Sequence, residues 1–358
     1  GTWGYEWGNG PAWDSAYFLI PWYVYLYRGD DRLLKAHYDG WKRYLDFVAE
    51  KSPDHIADFG LGDWCPPEGG PGGHKTPAAL TSTAYYYVDV KITAEVAGML
   101  GKHAEQRKYK ALAEKIREAF MKRFYRPETG TFEGDEQCGM ACAIYQGLLS
   151  QEEKGKVLNA LVKDIEEKRD GHLWAGIPGA KYVLNALTDE RRADVAYRMV
   201  TQKTWPSWGY WIEQGATSLW EDWHGGASRN HIMFGDISAW FYKTLAGINP
   251  HPQAPGFKRS VIRPRVVGDL TWVKAEHRTM YGMLRSSWKR DGSRLIMHVE
   301  VPCNTRADVW VPAADADAVT EGGVPASKAE CVHFLRMDSG CAVFEVPAGT
   351  YEFVTELQ

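Results

Sequence analysis

Two kinds of helix alternate over the first 250 residues, and this alternation limits the fold more than any other feature. The run 79–100 is apolar on nearly every side, whereas 103–124 carries a single apolar stripe from Tyr109 to Phe124. The same reasoning predicts further helices, over residues 17–28, 31–50, 137–149, 151–168, 178–187, 189–201 and 231–246. Pairs of this kind are typical of a double ring, an (α/α)6 toroid of six hairpins with buried inner helices and amphipathic outer helices.

The number of helices is too small for a closed ring of this type. The sequence predicts about nine, whereas six hairpins need two each. The chain also begins without Met, in a stretch that contains Trp3, Trp7 and Trp13. We therefore expect two or three helices to precede residue 1, on an upstream segment of the same protein.

The sequence pattern changes near residue 256, after the linker 251–256. Short alternating segments bounded by Gly, Pro and Asp predict a jelly-roll-like β-sandwich. The predicted strands are Val261–Ile262, Leu270–His277, Met283–Lys289, Arg294–Val301, Ala307–Val311, Val332–Leu335, Ala342–Val346 and Thr350–Thr355. The expected domains are 1–250, helical and catalytic, and 256–358, all β.

Charge and hydropathy exclude several classes of partner. The net charge of -4 and the pI near 6.3 provide no basic surface for nucleic acid or anionic membranes. The longest apolar run, Tyr17 to Tyr27, contains Pro21 and is shorter than the roughly 20 residues that span a bilayer. The six cysteines form no CxxC pair, which favours buried free thiols over a disulfide framework. The compartment is left open.

Aromatic residues are more abundant than core packing requires. There are 16 Trp and 19 Tyr, and flat rings suit the apolar C–H faces of sugars, although about half of these rings are expected to be core or groove filler. Two long loops, 60–77 and 205–230, combine such rings with carboxylates. A carbohydrate site is therefore predicted on these loops.

Glycoside hydrolysis requires two carboxyl groups that face the scissile bond. The candidates outside the charged helix faces are Glu6, Asp63, Glu213, Glu221 and Asp222. Glu221 lies between Trp220 and Trp223, where burial would hold a carboxylate for acid–base work. Glu221 could also be a capping or salt-bridging residue, and Asp63, beside Trp64, could be a turn residue.

Other polar residues of the second loop have two interpretations each. His231 is either a substrate donor or the first residue of the last helix, with Asn230 as the helix N-cap. Asp222 and His224 supply two possible metal ligands, which is weak without a third. No metal and no cofactor are predicted.

Several segments carry a family resemblance. The string GATSLWEDWHGGASRNHIMFGDISAWFYKTLAGINP strongly resembles the GATTxWExW…SxNHxxxGxxxxWxYxxLAGI segment of bacterial α-L-rhamnosidases, glycoside hydrolase family 78. Other stretches are similar to that family in the same order, namely IPW, GLGDW, TxTAYYYxD, WPSWGYWIEQGAT and PGFKRSVIRP. The resemblance covers nearly the whole chain, and the segment around Glu221 is its most specific part.

The resemblance implies a six-hairpin toroid with a C-terminal β-sandwich that removes terminal α-linked L-rhamnose, with inversion, from glycosides or oligosaccharides. Glu221 falls on the general base of the family. The residues that would contact the substrate are Asp63, Trp64, Trp208, Trp220 and His231. The motif that resembles DCPxRxERxGWxGD, which holds the general acid in the family, does not occur in this sequence. We expect the acid upstream of residue 1; otherwise Asp63 or Glu6 would serve.

Two other functions remain open from the residues alone. One is a different toroid enzyme, such as a glucuronyl hydrolase or a polysaccharide lyase, although a lyase needs a Tyr/His or Arg constellation rather than Trp and carboxylates. The other is a sugar-binding remnant that has lost its acid.

Overall fold

The structure of the chain, a computed structural model, describes residues 9–69, 76–134 and 136–357. It divides into two compact units. The first contains the described residues up to Trp22 and Arg32–Ile237; the second contains Tyr23–Asp31 and the described residues from Ser238 onward. The domain limits 1–250 and 256–358 stay a prediction.

Eleven α-helices are described, and all but the last part of α2 and of α11 belong to the first unit. Their bounds are α1 Pro11–Asp14, α2 Ala16–Arg28, α3 Arg32–Lys51, α4 Ala78–Met99, α5 His103–Phe124, α6 Gln137–Tyr145, α7 Gln151–Lys163, α8 Ile177–Asp189, α9 Ala193–Val200, α10 Trp208–Glu213 and α11 Asp236–Trp240. A two-stranded ribbon, β1 Tyr125–Arg126 and β2 Thr131–Phe132, follows α5.

The predicted alternation of helix types is confirmed. Helices α4 and α6 are buried on almost every side, whereas α5 and α7 bury one stripe each. The helices pack as hairpins, α4 with α5, α6 with α7 and α8 with α9, and α6 also packs against α8. A helix with apolar side chains on every side must be surrounded by other elements of the protein, so α4 and α6 are the inner helices.

The last predicted helix is wrong at its start. Residues 231–235 form a turn, in which the N–H of Gly235 donates to the carbonyl of Ile232. The α-helix begins only at Asp236, and residues Phe241–Leu245 continue it as a π-helix. Asn230 is therefore not a helix N-cap, and His231 is not the first residue of that helix.

Three other predicted helices differ from the structure, because the local backbone conformation changes within the predicted range. The helix predicted over 137–149 ends at Tyr145, since Gly147 has φ 73°. The helix predicted from 189 begins at Ala193, after Arg191 at φ 66°. The predicted helix 151–168 becomes π-helical over Asp164–Lys168. Helices α1 and α10 were missed because they are short and rich in Pro, Gly and Trp.

The second unit is built around a nine-stranded, sandwich-like sheet. Its strands are β3 Ile248–Pro250, β4 Arg259–Ile262, β5 Trp272–Thr279, β6 Gly282–Asp291, β7 Arg294–Pro312, β8 Thr320–Glu321, β9 Val324–Pro325, β10 His333–Met337 and β11 Cys341–Glu356. The order is β9-β8-β11-β7-β4-β3, with β10 also on β11, β6 also on β7, and β5 on β6.

Two long strands form the frame of this sheet. β7 and β11 pair antiparallel over nearly their whole length, whereas β4 runs parallel to the second half of β7. Each long strand was predicted as two short ones, because Asn, Pro and Gly residues separate the alternating segments. In the structure, Asn304 has φ 60° and the register shifts between Pro347 and Gly349, but the pairing continues on both sides. The core behind the frame contains Trp288 and Phe344 among many aliphatic residues.

The cysteines are free thiols, as predicted, although Cys303 and Cys331 are exposed rather than buried. Among the helices of the described residues, none is long and apolar enough to cross a membrane.

Candidate active site

The α10–α11 loop, residues 214–235, is anchored by buried tryptophans of α10. The rings of Trp211 and Trp223 stack with centroids 4.9 Å apart, and the edge of Trp208 meets Trp223 at 5.4 Å. The indole N–H of Trp208 donates to the carbonyl of Phe234, and that of Trp211 to the carbonyl of Trp223, both at 3.2 Å. Since these rings are buried and hydrogen-bonded, they fix the loop to the helix.

Trp220, next to Glu221, is also packed against protein. Its ring lies 5.7 Å from that of Trp211, and the guanidinium of Arg229 lies 4.7 Å from its centroid. The side chain of Arg229 is held in turn by the carbonyl of Gly225 at 3.1 Å. Trp220 and Trp208 are only 4% and 6% exposed. Direct stacking of these two rings on a sugar stays a prediction.

Glu221 keeps part of its carboxylate available. Its backbone N–H donates to the carbonyl of Ser228 at 2.8 Å, and the N–H of Ser228 donates to Glu221 Oε2 at 3.1 Å. The residue is partly exposed. Within the part of the chain that the structure describes, Oε1 has no hydrogen-bond donor. A carboxylate that is held at one oxygen and open at the other is suited to accept a proton from water.

The neighbouring Asp222 has the opposite character. It is 2% exposed, and its carboxylate accepts from three backbone N–H groups, those of Ala227 at 2.7 Å, His224 at 2.8 Å and Gly226 at 3.3 Å. These bonds close residues 222–227 into a turn that returns the chain to Ser228. Asp222 thus builds the turn that positions Glu221, and its oxygens are occupied by backbone donors rather than arranged for a metal.

Asp63, in the α3–α4 loop, caps the start of α8. Its two carboxylate oxygens accept from the N–H groups of Gly176 at 2.7 Å and Gly179 at 2.8 Å, and the Cys138 thiol is a further partner. A carboxylate is favoured at this end of a helix because the first N–H groups have no partner within the helix. Burial nevertheless raises the pKa of Asp63 to about 6, against the effect of these donors.

Two glycines allow this close approach. A Cβ on Gly176 would lie 2.2 Å from the carbonyl oxygen of Trp64. A Cβ on Gly179 would lie 2.9 Å from the Cβ of Cys138 and 3.0 Å from Asp63 Oδ2. Any side chain at either position would push the helix away from Asp63.

One peptide unit joins the two loops. The indole N–H of Trp223 donates to the carbonyl of Ala175 at 2.9 Å, and the N–H on the other side of the same peptide bond belongs to Gly176, which donates to Asp63. A second link is His224 Nε2, 3.0 Å from the carbonyl oxygen of Pro67. The loops that carry Glu221 and Asp63 therefore meet at one place in the first unit.

The pKa of the Cys65 thiol reflects the charges of both loops. Burial, followed by the negative charges of Asp222, Glu221 and Asp63, raises the pKa of its thiol to about 12. The charges of all three carboxylates thus act on this one thiol. A single substrate pocket shared by Glu221 and Asp63 stays a prediction.

The other sequence candidates fall into three groups. His231 and Trp64 are partly exposed; the N–H of His231 donates to the carbonyl of Leu219 at 2.8 Å, and its Nδ1 accepts from Met233 at 3.3 Å. Glu213 lies on the surface, 4.0 Å from Lys203. Glu6 lies outside the described residues. A search of the described residues finds no cluster of three or more His, Cys, Asp or Glu that could hold a metal.

Comparison with known proteins places this arrangement among the six-hairpin glycosidases. Residues 2–245 match the bacterial alpha-L-rhamnosidase 6 hairpin glycosidase domain, and residues 247–325 match the bacterial alpha-L-rhamnosidase C-terminal domain. Since the first match covers more than half of the chain, the chain belongs to the bacterial α-L-rhamnosidase family.

Individual relatives agree with this membership. An α-L-rhamnosidase of Streptomyces avermitilis is 35% identical over 97% of this chain and 33% of its own length, and one of Formosa agariphila is 30% identical over 96% and 38%. The α-L-rhamnosidase structure from Dictyoglumus thermophilum matches with a TM-score of 0.89 and 36% identity, over 97% of this chain and 40% of that one. The chain thus spans between a third and two fifths of the length of these relatives.

Proposed function

We propose that this chain contributes the general base and part of the sugar site to an inverting glycoside hydrolase that removes terminal α-L-rhamnose. The observation that carries the proposal is the state of Glu221, a partly exposed carboxylate with one oxygen bound by Ser228 and the other open. It stands in the segment that resembles the family most specifically. A structure of the Streptomyces avermitilis relative, with a TM-score of 0.87, is described as complexed with L-rhamnose, which supports the substrate class.

In this mechanism, Glu221 accepts a proton from a water molecule that attacks the anomeric carbon of the rhamnose. Inversion requires space for that water, so the general acid should lie roughly 6.5–9.5 Å from Glu221. As the resemblance implies, we assign the acid to a carboxyl group outside these 358 residues. The partly exposed Trp64 and His231 are proposed to contact the sugar. Asp63 supports the site through α8, and direct contact of Asp63 with the sugar stays a prediction.

The test is hydrolysis of an aryl α-L-rhamnoside by the natural protein that carries this chain, followed by proton NMR during the first turnovers. Release of β-L-rhamnose as the first-formed anomer is expected. Release of the α-anomer would contradict inversion and the role of Glu221 as base. Binding of L-rhamnose in calorimetry without hydrolysis would instead identify a sugar-binding protein.

A further inference from the structure

Four side chains from three separate connections, one of which is the α10–α11 loop, contact one another in series. The guanidinium of Arg169 lies 4.3 Å from the ring centroid of Trp174, Trp174 meets the edge of Trp205 at 5.4 Å, and Trp205 lies 4.9 Å from the ring of His224. Arg169, Trp174 and Trp205 are partly exposed, and His224 is exposed. We name these four residues the Trp174–Trp205 cluster.

The cluster adjoins Glu221. His224 is three residues further along the chain, so its Cα lies within about 11 Å of that of Glu221. At its other end, Trp174 directly precedes Ala175, whose carbonyl accepts from Trp223. The group of the substrate next to the rhamnose would therefore meet this part of the surface.

The cluster tryptophans differ from the packing tryptophans of the same unit. Trp208, Trp211 and Trp223 each donate their indole N–H to a backbone carbonyl at 2.9–3.2 Å. Trp174 Nε1 and Trp205 Nε1, by contrast, are closed to solvent without an acceptor among the described residues, and so is Nε of Arg169. A buried tryptophan used only for packing normally has its N–H hydrogen-bonded. Three unpaired donors in one cluster instead suggest that a ligand supplies the acceptors.

The charges around the cluster favour a neutral ligand. Arg169 is balanced by two carboxylates, Glu136 at 3.7 Å and Glu68 at 3.9 Å. These distances exceed that of a direct hydrogen bond, so neither carboxylate fixes the guanidinium by one. Because the three donors are closed to solvent, a ligand reaches them only when the Arg169 side chain moves aside. Flat rings, N–H donors and nearby carboxylates together suit a hydroxyl-bearing sugar ring, whereas an anion would meet two negative charges.

We propose that the Trp174–Trp205 cluster binds the neutral sugar unit to which the rhamnose is attached. This inference rests on the proposed function, because it assigns the leaving group of that reaction. The cluster stacks on the C–H face of the sugar, and the three donors bond its oxygens.

The experiment compares two substrates that differ only in the leaving group, an α-L-rhamnosyl-hexose disaccharide and α-L-rhamnosyl fluoride. In Trp174→Ala and Trp205→Ala, kcat/KM for the disaccharide should fall about tenfold or more, because stacking on the leaving sugar is lost. The fluoride has no leaving sugar, so its kcat/KM should stay within about twofold of the unsubstituted protein. Trp272→Ala is the matched control, because Trp272 is 65% exposed and lies in the second unit.

An equal fall for both substrates, or no fall for either, would overturn the proposal. Trp205→Phe keeps an aromatic ring but removes the N–H together with the five-membered ring of the indole; it provides the same comparison if the alanine variants fail to fold. If the unsubstituted protein hydrolyses neither substrate, the proposed function has failed, and calorimetry decides the inference alone. Trp205→Ala must then weaken binding of the disaccharide but not of L-rhamnose. If a rhamnosyl uronate binds more tightly than the neutral disaccharide, and Arg169→Met abolishes this difference, the ligand is not neutral and the proposal is contradicted.

Discussion

The two loops that meet at the Ala175–Gly176 peptide hold the same chemical group in opposite surroundings. In the α3–α4 loop, Asp63 is 2% exposed and both of its oxygens accept backbone N–H groups. In the α10–α11 loop, Glu221 is partly exposed and only one oxygen is bound. A carboxylate whose hydrogen bonds are complete stabilises the fold, whereas one with an open oxygen can react. The surroundings, rather than the residue type, separate the structural role of Asp63 from the role proposed for Glu221.

The largest expected effect is on turnover at Glu221. Glu221→Gln keeps the size of the side chain but removes the base, so kcat should fall about 10⁴-fold, or roughly 5 kcal/mol in activation free energy. Affinity for L-rhamnose, measured by calorimetry, should change little. The isosteric Glu213→Gln on the surface of α10 should have unchanged kcat. A Glu221→Gln protein that keeps a tenth of the normal turnover would remove Glu221 from the chemistry.

Asp63 should affect stability more than any other site carboxylate. Asp63→Ala leaves the N–H groups of Gly176 and Gly179 buried without an acceptor, which should lower the free energy of unfolding by about 4 kcal/mol. Denaturant titration measures this change. Asp194 lies in the first turn of α9 but its side chain is 47% exposed, so Asp194→Ala should cost less than about 1 kcal/mol. Equal losses in the two variants would contradict a special role for the buried cap.

The raised pKa of Asp63 predicts a pH dependence of stability. The ordinary pKa of this side chain is 3.8 and the folded value is about 6, so the folded state binds the proton more tightly than the unfolded state between these values. The stabilising contribution of the protonated form is complete below about pH 4 and is lost as pH rises through about 6. Two pKa units correspond to about 3 kcal/mol.

Asp63→Asn removes this titration. The stability of the unsubstituted protein relative to Asp63→Asn should therefore be greater at pH 4 than at pH 7, as thermal unfolding at both values would show. A difference that is constant over this range would mean that Asp63 stays ionised in the folded protein.

The smallest of these effects belongs to Asp222. Asp222→Ala removes the acceptor of three N–H groups, but His224 and Gly226 are exposed, so water replaces part of what is lost. The free energy of unfolding should fall by about 2 kcal/mol. Because the turn positions Glu221, kcat should also fall, with an intermediate value in Asp222→Asn, which retains one acceptor oxygen. Normal kcat in a destabilised Asp222→Ala protein would show that Glu221 is held without the turn.

The sequence predicted those parts of the fold that follow from periodicity. The spacing of apolar residues located α5, and the length of one apolar run located α4 to within a residue, because both helices are long and uninterrupted. It failed where one residue in the left-handed region ends or delays a helix, as at Gly147 after α6 and Arg191 before α9. It also missed the pairing of Asp63 with Gly176, since these residues are more than a hundred positions apart and no local pattern links them. The prominence of Glu221 between tryptophans was readable, but the closure of its loop by Asp222 was not.

The peptide unit between Ala175 and Gly176 has a consequence for exchanging parts among related enzymes. A peptide bond is a rigid plane. In this one, the oxygen accepts a hydrogen bond from Trp223 and the N–H donates one to Asp63. Rotating the plane to suit a new partner at one edge would misalign the partner at the other. A graft that replaces only the α3–α4 loop or only the α10–α11 loop would keep only one of the two hydrogen bonds to this peptide unit. The two loops should therefore be exchanged together in protein engineering.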